Sequence, residues 1–339
     1  MPRLQGRGAA DTEVARVGGG AGGVTSFAAC GLVVGHASDV AGATGCTVVR
    51  GADGPFRCAV RVVGRATGTR ELALLDPAHL VDRVDAIFLA GGSAYGLDAA
   101  AGVMRWMEER GRGFPVGEGV VPIVPAAVIF DLAPLGSFRA RPTTAMAYEA
   151  CEAAIADAVE GSVGAGTGAT VGKISGPALA TKGGLGVGHA SAGALHVCAL
   201  AVVNALGDVR DSTGNIIAGA RSDSSGWLDT ERFIAMADDA PSSFESLAGR
   251  NTTLCVVATN ADLGRVQLDA LAQAATAALY RRITPVGTAF DGDVVFATSP
   301  IADGVSAPQA RMEALAVLAL ERAIERAVRT HSPGEIFRG

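Results

Sequence analysis

The chain is organised around residues 249–260, which read Gly249-Arg250-Asn251-Thr252-Thr253-Leu254-Cys255-Val256-Val257-Ala258-Thr259-Asn260. A polar segment, residues 222–250, leads into it, and the apolar, β-branched residues 254–258 predict a buried strand. We hypothesise that the chain cuts itself at this junction, between Asn251 and Thr252. Thr252 would then carry both a hydroxyl nucleophile and a free α-amine. An α-amine with a pKa of about 7.7–8.0 can accept the hydroxyl proton near neutral pH.

Two other interpretations stay open on these residues alone. Asn251-Thr252-Thr253 also fits the Asn-x-Ser/Thr pattern for glycosylation, which has meaning only in a secreted protein. The junction also fits an ordinary loop that enters a buried strand. The local sequence does not decide among the three.

The composition is typical of a globular protein, because 49% of the 339 residues are hydrophobic and 18% are charged. A chain of this length fits one large domain or two ordinary ones. The net charge of −6, without a basic cluster, argues against nucleic acid or an anionic membrane as partner. The apolar runs are short and interrupted, so we expect no membrane-spanning segment.

The start of the chain, residues 1–23, is rich in Gly and Arg and has no apolar core, so we expect a flexible leader and no signal peptide. Residues 18–23 formally match G-x-G-x-x-G, but no strand precedes them, and we expect no dinucleotide cofactor. Six scattered cysteines without Cys-x-x-Cys, and histidines that form no close pair, indicate no metal site. Reduced cysteines predict a cytoplasmic protein.

Strands and helices alternate along the chain, which predicts one compact α/β body. Apolar runs predict strands within 31–63 and at 85–90, 194–203, 254–258 and 294–298. Helical patterns cover 93–110, 143–159, 262–282 and 308–330. Ser93 is the expected cap of the first helix, and Val266 is expected on the inward face of the third.

Two segments resemble catalytic or binding motifs without matching them. A nucleophile elbow at Ser93 requires glycine at position 95, which is Tyr95. The glycine-rich residues 161–173 suggest a phosphate loop, but Thr167 and Ile174 stand where Gly and Ser/Thr are required.

Six short stretches taken together resemble the DmpA family of self-processing aminopeptidases, which includes D-stereospecific aminopeptidases, β-aminopeptidases and nylon-oligomer hydrolases. They are residues 88–98, 124–131, 168–173, 202–208, 251–254 and 290–293. The similarity extends from about residue 31 to about residue 320, nearly the whole chain. It implies a four-layer αββα sandwich of the N-terminal-nucleophile type.

The resemblance also implies how the chain is organised. It predicts a single domain, residues 24–339, that cuts itself into fragments 1–251 and 252–339, with 222–250 as a mobile tail of the larger fragment. The fragments are expected to stay together and to assemble into a tetramer of heterodimers. The expected substrates are small peptides, peptide amides or amide oligomers such as 6-aminohexanoate oligomers. An acyltransferase related to the ornithine acetyltransferases is the alternative, and a non-catalytic binding protein is a third possibility.

The resemblance gives the site residues their expected roles. Thr252 is the nucleophile and supplies its own amine as base. The Asn204 amide is expected to hold the oxyanion, and Lys173 to keep the amine of residue 252 neutral. Asp291 and Asp293 flank a glycine and are expected to anchor that amine. The family pattern is broken at Phe130, where some relatives have tyrosine, so a second oxyanion donor has to come from elsewhere, such as a backbone N–H.

Overall fold

A computed structural model describes residues 25–222, 226–236 and 249–330 of the chain. Two five-stranded sheets are stacked face to face, with strand orders β1-β2-β5-β8-β4 and β11-β12-β15-β17-β3. Smaller sheets pair β9 with β10, β6 with β7, and β13 with β14 and β16. Helices cover both outer faces, so the predicted four-layer αββα sandwich is confirmed.

The strands are β1 (Leu32–Asp39), β2 (Thr44–Gly51), β3 (Arg57–Val62), β4 (Gly68–Arg70), β5 (Ala86–Ala90), β6 (Phe114–Val116), β7 (Gly119–Val121), β8 (Ala126–Val128), β9 (Thr170–Val171), β10 (Thr181–Lys182), β11 (Gly184–Ala192), β12 (Leu195–Asn204), β13 (Asp208–Arg210), β14 (Ile216–Ala218), β15 (Thr252–Thr259), β16 (Ile283–Thr284) and β17 (Val294–Ser299). The α-helices are α1 (Ala100–Glu108), α2 (Thr144–Glu152), α3 (Thr230–Met236), α4 (Arg265–Arg282) and α5 (Gln309–Arg329).

Strand β15 is the middle strand of its sheet and is buried along its whole length. It pairs antiparallel with β12 and parallel with β17. Its side chains alternate between two cores: Leu254 and Val256 face the other sheet, and Val257 faces the helices. A strand covered on both faces has no polar face, which explains its unbroken apolar run.

Three apolar layers hold the sandwich together. The central layer lies between the sheets and includes Leu200 and Phe296. The second packs α4 and α5 on the sheet of β15, and the third packs α1 and α2 on the other sheet. Helix α5 approaches β11 closely, because a Cβ at Gly188 would lie 2.1 Å from the Ala319 carbonyl oxygen. The glycines of β11 therefore bring the helix backbone against the sheet.

The start of the first helix differs from the prediction. Ser93 is not a helix cap: a 3-10 helix, Ser93–Ala99, precedes α1, and Gly92, with φ of 82°, turns the chain before it. The Gly92 N–H donates instead to the Asp131 carboxylate at 2.6 Å. A side chain 39 residues away therefore holds this turn.

Two further predictions about the helices were wrong. Helix α2 ends at Glu152 and not near residue 159, because the chain then becomes extended, with Ile155 bridging to Val34 and Asp157 bridging to Ser26. Val266 is 73% exposed, and Leu268 takes the inward position in α4. The inward residues expected in α5, among them Leu320 and Ile324, are buried as predicted.

Some of the predictions concern residues that the structure does not describe. The leader 1–23 lies outside the described residues, as do 223–225 and 237–248 of the polar segment. The described part of the polar segment contains α3. None of the helices described here is both long and apolar enough to cross a membrane. The six cysteines are free thiols.

Candidate active site

The predicted site residues meet at one end of the sheet that contains β15. Thr252 begins β15 and lies directly opposite Asn204, the last residue of β12. Asp291 and Asp293 come just before β17, whose parallel pairing with β15 carries them to the same end. Lys173 reaches this end from the loop that follows β9. All five side chains are buried.

The Thr252 hydroxyl lies against the peptide bond that it is expected to attack. Its Oγ1 donates to the carbonyl oxygen of Asn251 at 2.6 Å. Thr252 is 3% exposed and Asn251 is fully buried, so water is largely excluded from this junction. The hydroxyl and the carbonyl group that it is expected to attack are thus neighbours in a site from which water is largely excluded, and proximity of this kind favours acyl transfer.

Gly292 contributes a group that the sequence reasoning did not assign. Its backbone N–H donates to the same Asn251 carbonyl oxygen at 2.8 Å. A Cβ at Gly292 would lie 2.7 Å from Thr252 Oγ1 and 2.7 Å from the Ala66 carbonyl oxygen, so only glycine fits. The signal in the sequence is the glycine between two aspartates. A backbone N–H in this position could stabilise an oxyanion if Thr252 attacked the Asn251 carbonyl group.

Lys173 and Asn204 form a pair next to the junction. Lys173 Nζ donates to the Asn204 carbonyl oxygen at 2.7 Å and to its side-chain Oδ1 at 2.8 Å. A third hydrogen bond of Nζ, 3.2 Å long, goes to the Arg250 carbonyl oxygen. The Thr170 N–H also donates to Asn204 Oδ1, at 3.1 Å, which fixes the orientation of the amide.

The other end of the Asn204 amide has two acceptors. Its Nδ2 donates to the carbonyl oxygens of Phe130 and Arg250, both at 3.2 Å. In the continuous chain Asn204 therefore contacts the peptide one residue before the expected cut. Its expected role toward the oxyanion of a substrate stays a prediction.

The two aspartates hold the backbone around Thr252. Asp293 accepts hydrogen bonds from the N–H groups of Thr253 at 2.6 Å and Gly287 at 3.1 Å. Asp291 accepts from the N–H and hydroxyl of Thr288 at 2.9 and 2.6 Å. The expected contact of either carboxylate with the amine of residue 252 stays a prediction.

Burial changes the acid–base properties of the site. It lowers the pKa of Lys173 to about 7, an effect that the nearby Asp291 and Asp293 partly oppose. Burial, with the charge of Asp291, raises the pKa of Asp293 to about 7, while hydrogen bonds from Thr253 and Gly287 act in the opposite direction. An amine and a carboxyl that both titrate near neutral pH suit proton transfer.

Phe130 lines an apolar pocket beside the junction. The pocket has a volume of about 70 Å³ and is lined by Phe130, Ala133, Pro134, Lys173, Pro177 and Arg250. The Arg250 guanidinium lies over the Phe130 ring, 5.4 Å from its centre. Phe130 thus contributes a flat apolar wall here, in addition to its carbonyl contact with Asn204.

Lys182 supports the loop that carries Lys173. These are the only two lysines in the sequence, all other basic side chains being arginine or histidine, and this bias is a signal that the sequence reasoning missed. Lys182 Nζ donates to the carbonyl oxygens of Gly166, Ala169 and Gly183 at 2.9–3.1 Å. These contacts hold the glycine-rich loop beside Asn204.

Comparisons with known proteins identify the family. The model of peptidase family S58 matches residues 29–332. An uncharacterised aminopeptidase of Mycobacterium leprae is 44% identical over 258 residues, 70% of this chain and 66%, just under two thirds, of that protein. A 6-aminohexanoate-oligomer endohydrolase of an Agromyces strain is 32% identical over 273 residues, 79% of this chain and 73% of that protein.

A solved structure has the same fold as this chain. The L-aminopeptidase D-Ala-esterase/amidase of Ochrobactrum anthropi, described as a variant of the Ntn hydrolase fold, has a TM-score of 0.64 at 18% identity. The match covers 91% of this chain and 88% of that one. The family defines the class, which is that of hydrolases acting on amide bonds. The chain belongs to peptidase family S58, the DmpA family that the six sequence stretches predicted.

Proposed function

We propose that the protein is a self-processing amide hydrolase that uses Thr252 as an N-terminal nucleophile after the chain is cut between Asn251 and Thr252. One observation carries the proposal. The Thr252 hydroxyl and the Gly292 N–H converge on the Asn251 carbonyl oxygen, at 2.6 and 2.8 Å. A nucleophile and an oxyanion donor thus lie at the same peptide bond.

The cut proceeds through an ester. Thr252 Oγ1 forms a bond to the carbonyl carbon of Asn251, and the oxyanion is stabilised by the Gly292 N–H. The carbon–nitrogen bond then breaks and the nitrogen takes up a proton, which leaves an ester and a free amine on Thr252. Water hydrolyses the ester to the Asn251 carboxylate and restores the hydroxyl.

Lys173 is the base that we assign to this first reaction, since the α-amine of residue 252 does not yet exist. Its pKa of about 7 leaves a large fraction of neutral amine at neutral pH. Its contact with the Arg250 carbonyl oxygen places it one residue from the bond to be cut. After the cut, the protonated side chain of Lys173 repels a second positive charge nearby, and this repulsion keeps the new α-amine of Thr252 neutral.

In the mature enzyme, the Thr252 amine replaces Lys173 as the base for the hydroxyl. A substrate amide is attacked in the same way, its amine leaves, and water releases the acyl group. An Asn204 amide that holds the oxyanion would contribute about 3 kcal/mol to the reaction. Asp291 or Asp293 anchors the new ammonium group of residue 252.

The fragments 1–251 and 252–339 stay together in this proposal, as parts of one domain. Strand β15 belongs to the second fragment and lies between β12 of the first and β17 of the second. The eight residues of β15 are all buried. Separation of the two fragments would therefore expose the centre of the core to water. We retain the predicted tetramer of heterodimers, which a native mass measurement tests.

The relatives support the range of substrates. One relative is called an aminopeptidase and another a 6-aminohexanoate-oligomer endohydrolase. The names thus cover enzymes for peptides and enzymes for 6-aminohexanoate oligomers. Small peptides, peptide amides and short amide oligomers are therefore the substrates we propose for this chain.

The test is a comparison of the wild type with Thr252→Ser and Thr252→Ala. Short p-nitroanilides and amide oligomers are incubated with each protein, and released amine is measured. Hydrolysis by the wild type and Thr252→Ser, with none by Thr252→Ala, supports the proposal. Full activity of Thr252→Ala contradicts it. Transfer of an acetyl group from an acetylated amino acid to glutamate without hydrolysis would identify an acyltransferase instead.

A further inference from the structure

The chain's own backbone shows how the site holds two successive carbonyl groups before the bond that is cut. The Asn251 carbonyl oxygen accepts from the Gly292 N–H at 2.8 Å. The Arg250 carbonyl oxygen accepts from both Lys173 Nζ and Asn204 Nδ2, each at 3.2 Å. The second carbonyl is therefore bound by two donors, one of them cationic when protonated.

These two donors need a partner after the chain has been cut. Asn204 is fully buried and Lys173 is 8% exposed, so water reaches them poorly. If Arg250 and Asn251 withdraw to admit a substrate, Lys173 Nζ keeps its two hydrogen bonds to Asn204, and Asn204 Nδ2 keeps the one to the Phe130 carbonyl oxygen. One N–H of each group loses its acceptor, and a buried N–H without an acceptor is costly. A substrate that brings a carbonyl to the position of the Arg250 carbonyl restores both hydrogen bonds.

The charges around this position select against a free ammonium group. Once Arg250 has withdrawn, the described lining of the adjacent pocket contains one cationic side chain, Lys173, and no carboxylate. The rest of that lining is apolar: Phe130, Ala133, Pro134 and Pro177. An ammonium group buried against this apolar wall and beside the Lys173 ammonium is unfavourable, whereas a neutral amide is not.

We propose that the enzyme prefers substrates in which the amino group next to the cleaved bond is acylated, with the spacing of an α-amino acid. This inference rests on the proposed function and deepens it. Such substrates are N-acylaminoacyl amides and internal bonds of peptides. The additional carbonyl lies where Arg250 places its own, against Lys173 and Asn204. Substrates with a free amine at that position are cleaved more slowly.

The experiment compares three probes that share the side chain of Asn251. They are asparagine p-nitroanilide, N-acetylasparagine p-nitroanilide, and 3-carbamoylpropanoyl p-nitroanilide, which has neither the amine nor the second carbonyl. Intact mass and N-terminal sequencing first establish that the preparation begins a chain at Thr252. We expect kcat/KM for the acetylated probe to exceed that for each of the other two by at least about tenfold.

A second readout separates binding of this carbonyl from a general catalytic defect. In Asn204→Ala, loss of the carbonyl contact lowers the ratio between the acetylated and the 3-carbamoylpropanoyl probe toward one. A contribution of Asn204 to the oxyanion lowers kcat for all three probes, so the ratio alone reports on the additional carbonyl. An unchanged ratio in Asn204→Ala would overturn the inference.

The remaining outcomes are also decisive. Faster cleavage of the free-amine probe, or equal rates for the acetylated and 3-carbamoylpropanoyl probes, overturns the inference and leaves self-cleavage intact. If protein that begins a chain at Thr252 cleaves none of the three probes, the inference is likewise overturned and self-cleavage stays intact. A chain that is never cut removes the proposed function and this inference with it, and intact mass detects that result before any probe is added.

Discussion

Asn204 and Thr252 lie directly opposite each other across the antiparallel pair β12 and β15. This register joins the proposed nucleophile to the network of Lys173, because both Asn204 oxygens accept hydrogen bonds from Nζ, at 2.7 and 2.8 Å. A shift of one residue would turn Thr252 to the other face of the sheet. The buried strands that fix the register therefore also set the position of Thr252 relative to Asn204 and Lys173.

Gly292→Ala is expected to slow self-cleavage by about 100-fold, the effect of losing one oxyanion donor. The new methyl group would lie 2.7 Å from Thr252 Oγ1, so the hydroxyl or the Gly292 N–H has to move. Timed intact-mass measurements on precursor made by cell-free translation give the rate. Gly119→Ala is the matched control, since a Cβ at Gly119 has no neighbour within 4 Å. Wild-type kinetics in Gly292→Ala would contradict the assignment.

The rate of self-cleavage is expected to rise with pH through about 7. Burial lowers the pKa of Lys173 to about 7, so its neutral, proton-accepting form predominates above that pH. The pKa of Asp293 is raised to about 7, so its carboxylate forms over the same range. Newly translated precursor, transferred to buffers between pH 5.5 and 9, provides the profile. A rate that falls as pH rises through 7 would refute the assignment of Lys173 as base.

Lys173→Arg is expected to leave the precursor uncut at every pH in that range. Arginine keeps the charge but stays protonated, because its pKa is above about 12. Lys173→Met, which lacks both charge and base, is expected to give the same result. Thermal unfolding of both variants checks that they fold. Normal processing of the folded Lys173→Arg protein would show that the charge alone is sufficient.

The two fragments are expected to separate only when the protein unfolds. The second fragment carries β15, β17, α4 and α5, and its apolar side chains complete two of the three cores. Native mass spectrometry should therefore give one particle, and denaturing electrophoresis two bands. Release of fragment 252–339 under native conditions would contradict the shared core.

Elements with a strong hydrophobic pattern were predictable from the sequence. The β15 run and the inward residues of α5 follow from burial on both faces and from helical periodicity. Val266 was misplaced because α4 is rich in alanine on several sides, which leaves its inward face poorly defined. The turn at Gly92 was missed because Asp131, distant in sequence, holds it.

The candidate site was predictable where a side chain carries the chemistry. Lys173 and Asn204 were predicted from the family resemblance, and the structure brings them within 2.8 Å of each other. Gly292 escaped notice because it acts through a backbone N–H, which any residue except proline possesses. Only the parallel pairing of β15 with β17 shows that this N–H reaches the Asn251 carbonyl. The contact of the Arg250 carbonyl likewise depends on tertiary structure.

Self-cleavage before Thr252 is tested most directly by intact mass and N-terminal sequencing of the purified wild type beside Thr252→Ala. We expect two wild-type chains, one of them beginning Thr252-Thr253-Leu254, and a single uncut chain in Thr252→Ala. An active wild type that consists of one unbroken polypeptide, or normal cleavage of Thr252→Ala, would contradict self-cleavage by Thr252.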